Sequence, residues 1–133
     1  MSKPHIDHIG VIVPDMEKAL SLLEKLFGVE PGPIKEKEAM GLRLALVEFE
    51  NVGLELIQYT DKNSSFKSIL GEREGMNHIS VKVPDMDAAL GNLEENKVKL
   101  ADGFPVQGSN GPLAFNRAET SLGMLFELYQ IKD

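Results

Sequence analysis

His8-Ile9-Gly10-Val11-Ile12-Val13-Pro14-Asp15-Met16 returns further along the chain as His78-Ile79-Ser80-Val81-Lys82-Val83-Pro84-Asp85-Met86. From 8 to 20 against 78 to 90, nine of thirteen positions are identical. Each copy ends in an apolar run that encloses one acid, Leu54-Glu55-Leu56-Ile57-Gln58 and Phe126-Glu127-Leu128-Tyr129-Gln130, so an offset of 70 at the histidines becomes only 72 at the glutamates. Two half-length modules therefore bring two histidines and two carboxylates to equivalent positions, which is what a divalent-metal site built by duplication requires.

The elements follow from local pattern. Ile6 to Val13 is rich in β-branched residues and stops at Pro14; Asp15 is placed to cap a helix whose apolar stripe, Leu20, Leu23 and Phe27, runs to Gly28. Val29 to Lys37 reads as an edge strand or loop, Leu42 to Glu50 as a strand, Asn51-Val52-Gly53 as a turn and Leu54 to Tyr59 as a strand. The second module repeats this through His78 to Val83, a helix from Asp85 to Glu95, a weak strand at Lys97 to Ala101, a strand at Leu113 to Arg117 and a last one from Met124 to Ile131. Between the modules, 61–75 is a polar linker with a short amphipathic piece around Phe66, Ile69 and Leu70, and Gly103 to Pro112 is a loop long enough to line a pocket. The expected organisation is a single α+β domain over 1–133, with module 1 at about 5–60 and module 2 at about 76–132.

Strand parity gives the histidines a side. His8, Gly10 and Ile12 face one way while Ile9, Val11 and Val13 face the other, and His78 with Ser80 copies this. Glu55 and Glu127 stand alone between large apolar neighbours, where a carboxylate without a cation or several donors is costly. A shared ion held by His8, Glu55, His78 and Glu127 removes both costs. Two imidazoles and two carboxylates suit Co, Mn, Ni, Zn or Fe, one per subunit, whereas all-oxygen ligation would favour Mg or Ca. His5 lies ahead of the repeat, has no counterpart and reads as a surface residue.

With a formal net charge of −7, the chain of 133 residues is not a general nucleic-acid binder, although Lys35, Lys37, Arg43 or Arg117 offers a local cation to an anionic ligand. The absence of cysteine excludes thiolate zinc and disulfides. No signal-like or membrane-spanning run is visible, so no membrane partner and a cytoplasmic location are expected.

The motifs Asp7-His8-Ile9-Gly10-Val11, Leu54-Glu55-Leu56, Asn77-His78-Ile79 with Val83-Pro84-Asp85, and Leu125-Phe126-Glu127-Leu128 resemble the vicinal oxygen chelate superfamily (glyoxalase, bleomycin resistance and dioxygenase proteins), and within it the methylmalonyl-CoA epimerases. The likeness runs along essentially the whole chain. It implies paired βαβββ modules forming a curved-sheet metal-binding cleft, with His8, Glu55, His78 and Glu127 as ligands; epimerases carry Gln or Glu at the position matching Glu55. The implied reaction removes the proton between a thioester and a carboxylate, through a metal-stabilised enolate, on an acyl-CoA or other small-molecule thioester. Homodimeric assembly is the accompanying expectation.

Glu127 would be one acid/base as well as a ligand, and epimerisation needs a second on the opposite face. In the resembling enzymes that second base is a glutamate on the third strand, and the matching position here is Leu44. Glu48, on the same strand and of the same parity, is the candidate replacement. Where epimerases read Phe-Leu-His-Pro this chain has Phe115-Asn116-Arg117-Ala118, which makes Arg117 a candidate for holding a substrate carboxylate or phosphate. Asn77 stands where many carry a second histidine and is a candidate for orienting substrate or water. The alternatives are a glyoxalase-I-like lactoylglutathione lyase, or a non-catalytic small-molecule-binding protein of the same fold. An extradiol dioxygenase fits less well, since Glu55 fills a position that catechol and dioxygen need.

Overall fold

The computed structural model describes residues 3–108 and 111–130. It is α+β, and the two βαβββ modules read from the repeat are present. The chain divides into two compact units, one of them His8–Asn77 and the other running from His78 and taking in the described residues ahead of His8.

In the first unit β1 (His5–Ile12) leads into α1 (Met16–Phe27), followed by β2 (Lys35–Lys37), β3 (Leu42–Glu48), β4 (Gly53–Tyr59) and a single helical turn, α2 (Lys67–Leu70). The strand order is β2-β3-β4-β1. β1 runs parallel to β4, and β3 is antiparallel to both β2 and β4. Directly paired residues project to the same face. The register His8↔Gly53, Gly10↔Glu55 and Leu46↔Glu55 therefore sets His8, Gly10, Glu55, Leu44, Leu46 and Glu48 on one face. The other face carries Val11, Ala45, Val47 and Leu56, which bury against Met16 and Leu20 of α1, with Ala19 and Leu23 packed alongside. Met16 is wholly buried, which contributes roughly 1.5–3 kcal/mol of transfer free energy.

The second unit repeats this with β5 (Gly75–Val83), α3 (Met86–Glu95), β6 (Val106–Gly108), β7 (Gly111–Phe115) and β8 (Phe126–Gln130), in the order β5-β8-β7-β6. Ser80↔Glu127 and Phe115↔Glu127 are in register, so His78, Ser80, Glu127 and Phe115 share one face. Val83 and Leu128, with Val81 and Phe126, pack the opposite face against Met86, Ala89, Leu90 and Leu93 of α3.

Both helices begin in the same way. Asp15 caps α1 by accepting from the Lys18 amide at 3.0 Å, and Asp85 caps α3 by accepting from the Ala88 amide at 3.1 Å. A second amide in each first turn is served from the last strand of its own module. Met16 N donates to Gln58 Oε1 at 3.1 Å and Met86 N to Gln130 Oε1 at 2.9 Å. The repeated glutamine is thus a helix-start partner that ties helix to sheet. Gln58→Ala should cost roughly 1–2 kcal/mol in urea-denaturation stability, with Gln58→Glu losing less because a carboxylate still accepts. α1 ends on Gly28, whose φ of 69° is the left-handed geometry that glycine adopts without strain.

Several boundaries differ from the sequence reading. Lys97 to Ala101 is not a strand: Lys97 has φ 61° and Val98 N returns to Leu93 O at 2.9 Å, so these two residues finish α3, while beyond them Leu100↔Asn116 is only an isolated bridge. The short outer strand comes instead from Val106–Gly108, inside the segment read as a loop, through Val106↔Leu113 pairing. β7 starts at Gly111 and stops at Phe115, short of Arg117. β5 begins at Gly75, three residues before the repeat, and β8 is described to Gln130; Ile131 lies outside the described residues. No helix among the described residues is long and apolar enough to cross a membrane.

Candidate functional site

Each unit presents a buried histidine and a glutamate on the face away from its helix. In the first, His8 is 4 % exposed and its Nε2 lies 3.7 Å from Glu55 Oε1; in the second, His78 is 4 % exposed and its Nε2 lies 3.9 Å from Glu127 Oε1. A nitrogen–oxygen hydrogen bond spans about 2.7–3.2 Å. Two donors on one ion, each about 2.0–2.2 Å away, are at most about 4.4 Å apart. Both separations lie in the interval between these limits, so each pair has the spacing of ligands and is too long for a direct hydrogen bond. The donor chemistry, one imidazole and one carboxylate per pair, suits a first-row divalent cation.

The two pairs differ in surroundings. Glu55 keeps 26 % of its side-chain exposure, whereas Glu127 keeps 9 %. In register with Glu55 stand Gly10, which adds no side chain, and Leu46. In register with Glu127 stand Ser80, wholly buried, and Phe115, at 4 %. The edge of the His78 ring meets Phe115 at 5.4 Å and 78°, and Phe104 meets Phe115 in turn at 5.5 Å and 73°, so an aromatic stack fixes the imidazole plane. The second pair is the more enclosed of the two.

The other candidates divide. Glu48 shares the face of Glu55, as parity required, and is exposed. It lies in the cross-strand row Glu48–Gly53–His8, whereas Leu44 lies in the row Leu44–Ile57–Ile12, and the Glu55 row with Leu46 runs between them. Gly53 makes room in its row for the Leu46 side chain: a Cβ there would meet Leu46 Cδ1 at 2.9 Å and His8 Cβ at 3.7 Å. Arg117 lies beyond the end of β7, about half exposed, with Nε donating to Glu119 Oε1 at 2.8 Å; a backbone hydrogen bond, and after it this contact, hold the Glu119 carboxyl below its ordinary pKa. Asn77 alternates to the face opposite His78, and its Nδ2 donates to Leu70 O at 2.7 Å, so this amide fastens α2 to β5.

Arg43 is not available as a cation for a ligand. It lies on the helix side of β3, its guanidinium grips Glu17 at 2.7 and 3.1 Å and Glu36 at 2.9 Å, and it also donates to Gln58 Oε1 at 3.2 Å. The Arg43 hydrogen bond is the main reason the Glu17 carboxyl is held below its ordinary range. Lys35 and Lys37 are exposed on β2, and His5 is exposed at the start of β1. Two residues of the second unit's site face were given no role by the sequence reading: Ser80, which parity had already placed beside His78, and Lys82, whose Nζ lies 3.3 Å from Asp7 Oδ1. Their signal was available in the repeat, which has Gly10 and Ile12 at the same two places.

Comparisons agree with this architecture. The chain is 27 % identical over 128 residues to the mitochondrial methylmalonyl-CoA epimerase of Bos taurus, covering 94 % of this chain and 73 % of that protein. It is 28 % identical over 130 residues to the ethylmalonyl-CoA/methylmalonyl-CoA epimerase of Cereibacter sphaeroides, covering 95 % and 97 % respectively. Among solved structures, a variant of Streptomyces coelicolor methylmalonyl-CoA epimerase in complex with 2-nitronate-propionyl-CoA superposes with a TM-score of 0.78 at 26 % identity, covering 97 % of this chain and 95 % of that one. The family model for the glyoxalase/bleomycin resistance protein/dioxygenase superfamily matches residues 7–115, from the residue before His8 to the end of β7. The chain belongs to that superfamily.

Proposed function

We propose that this protein is a divalent-metal-dependent epimerase that inverts the carbon between a thioester and a carboxylate in an acyl-CoA such as methylmalonyl-CoA. The observation that carries the reading is the duplicated histidine–glutamate pair at ligand spacing, 3.7 and 3.9 Å. Support comes from two directions. The donor chemistry of each unit, one imidazole and one carboxylate, suits a first-row divalent ion, and the relatives reported above carry epimerase names.

His8, Glu55, His78 and Glu127 would hold one ion per subunit, of the Co, Mn, Ni, Zn or Fe type. When bound, it supplies Lewis-acid stabilisation of negative charge developing on substrate oxygen. The chain's own groups do the rest. Glu127 takes the proton from the carbon, the C–H electron pair becomes a carbon–carbon double bond as the thioester C=O π pair moves onto oxygen, and the carboxylate becomes a carboxylic acid that can return a proton. Its enclosure beside Phe115 restricts solvent at that oxygen. Glu48 is proposed to deliver a proton to the other face, and Arg117 to contact substrate; Asn77, turned to the face opposite His78 and donating to Leu70 O, is not given that role. The two modules are proposed to work as one domain, in a homodimer in the cytoplasm, with neither nucleic acid nor membrane as a partner.

Solvent-deuterium incorporation into methylmalonyl-CoA tests the reading, followed by mass spectrometry on protein first stripped by chelation and then resupplied with cobalt. Exchange should fall by at least about 10³-fold on stripping and return with cobalt. Bound cobalt without exchange would shift the reading to a glyoxalase-I-like lyase or a binding protein.

A further inference from the structure

Ser80 stands apart from the other buried residues of the second unit's site face. It is wholly buried, its hydroxyl has no hydrogen-bond partner among the described residues, and it is in register with Glu127 on the adjacent parallel strand, facing the same way. A buried hydroxyl without a partner is destabilising, because it has left water and gained nothing. The fold does not demand it: the equivalent place in the first unit, opposite Glu55, is Gly10. A group that costs stability and is not needed for packing is retained for what it does in the loaded site.

We propose that Ser80 is a positioning residue: with a metal ion at the site, a turn about its side-chain torsion lets the hydroxyl donate to the Glu127 carboxylate, fixing which oxygen of that carboxylate faces the ion. The row supplies the reach, since neighbouring strands lie about 4.7–4.9 Å apart and Ser80 and Glu127 are paired across that gap on one face. The chemistry supplies the preference, since a carboxylate accepts on both oxygens and a second donor decides its orientation. The first unit lacks this device, because Gly10 has no donor. Glu127 is thereby held as a ligand and acid/base of fixed geometry. The inference rests on the metal-site reading above.

The test is a comparison of the parent and Ser80→Ala as metal-free proteins, each melted and then titrated with cobalt alone and followed by visible absorption. The metal-free variant should melt at or above the parent temperature, since an unpartnered buried hydroxyl has been removed. It should bind cobalt about 10-fold more weakly, at the low end of the usual effect of losing an outer-shell partner, with an altered ligand-field spectrum. Unchanged cobalt affinity in Ser80→Ala overturns the inference, as does a lower melting temperature without metal, which would make the hydroxyl a structural partner. A parent that takes up no cobalt instead overturns the metal-site reading beneath it.

Discussion

His78→Ala is expected to abolish metal retention and, with it, deuterium exchange into an acyl-CoA, by at least about 10³-fold, the loss expected when the chief electrostatic stabilisation of a carbanionic transition state is removed. His78 is 4 % exposed, at ligand spacing from Glu127, and braced edge-on by Phe115. Its loss therefore removes a donor and opens the aromatic wall together. To separate metal loss from unfolding, metal content by elemental analysis is read beside near-ultraviolet circular dichroism: the variant should keep the aromatic signal of a packed core and lose the ion. His5→Ala is the matched control. That histidine is exposed at the first residue of β1, and its replacement should leave both metal and exchange unchanged. Full turnover by metal-free His78→Ala would sink the proposed mechanism.

What the sequence disclosed, and what it hid, follows from the range of the interactions involved. The repeat disclosed the two modules, and strand parity placed His8 with Glu55, and His78 with Glu127, on the faces that turn away from the helices, because a period of two is a local property of extended chain. Misreadings arose where a short polar segment had two outcomes. Lys97 to Ala101 had strand-like alternation, but the left-handed turn at Lys97 spends the Lys97 and Val98 amides on ending α3, and the outer strand then falls to Val106–Gly108. Arg43 looked like a cation for an anionic ligand until its partners were seen: Glu17 lies 26 positions away on α1, a pairing no local pattern announces. The glutamines at 58 and 130 were visible as a repeat, yet their role depends on helix-start amides 42 and 44 residues upstream. Ser80 was hidden differently. It differs from Gly10 within an otherwise matching motif, and the weight of that difference appears only once burial and register are known.

The second large effect concerns the face of the substrate opposite Glu127. Glu48→Gln is expected to lower interconversion of the two epimers by about 10²–10⁴-fold, the usual contribution of a positioned acid/base. Deuterium exchange into the epimer that Glu127 serves should persist within a few-fold. This split follows from stereochemistry: one base suffices to remove and return a proton on its own side, whereas inversion needs a donor on the other. Metal content should be unchanged in Glu48→Gln, since Glu48 is exposed and two strands away from His8 in its row. The register also makes a demand on the substrate. Leu44 and Glu48 flank Leu46, each about 7 Å along the strand from the row of Glu55 and in opposite directions. A base at Glu48 therefore requires the reacting carbon to sit toward the row of His8, whereas a base at position 44 would require it toward the row of Ile12. The double variant Leu44→Glu/Glu48→Gln decides between these seats. If the carbon lies toward His8, the new glutamate restores nothing, and Glu48 is the second base by position as well as by charge. Restored interconversion would place the carbon toward Ile12 and remove Glu48 from the mechanism.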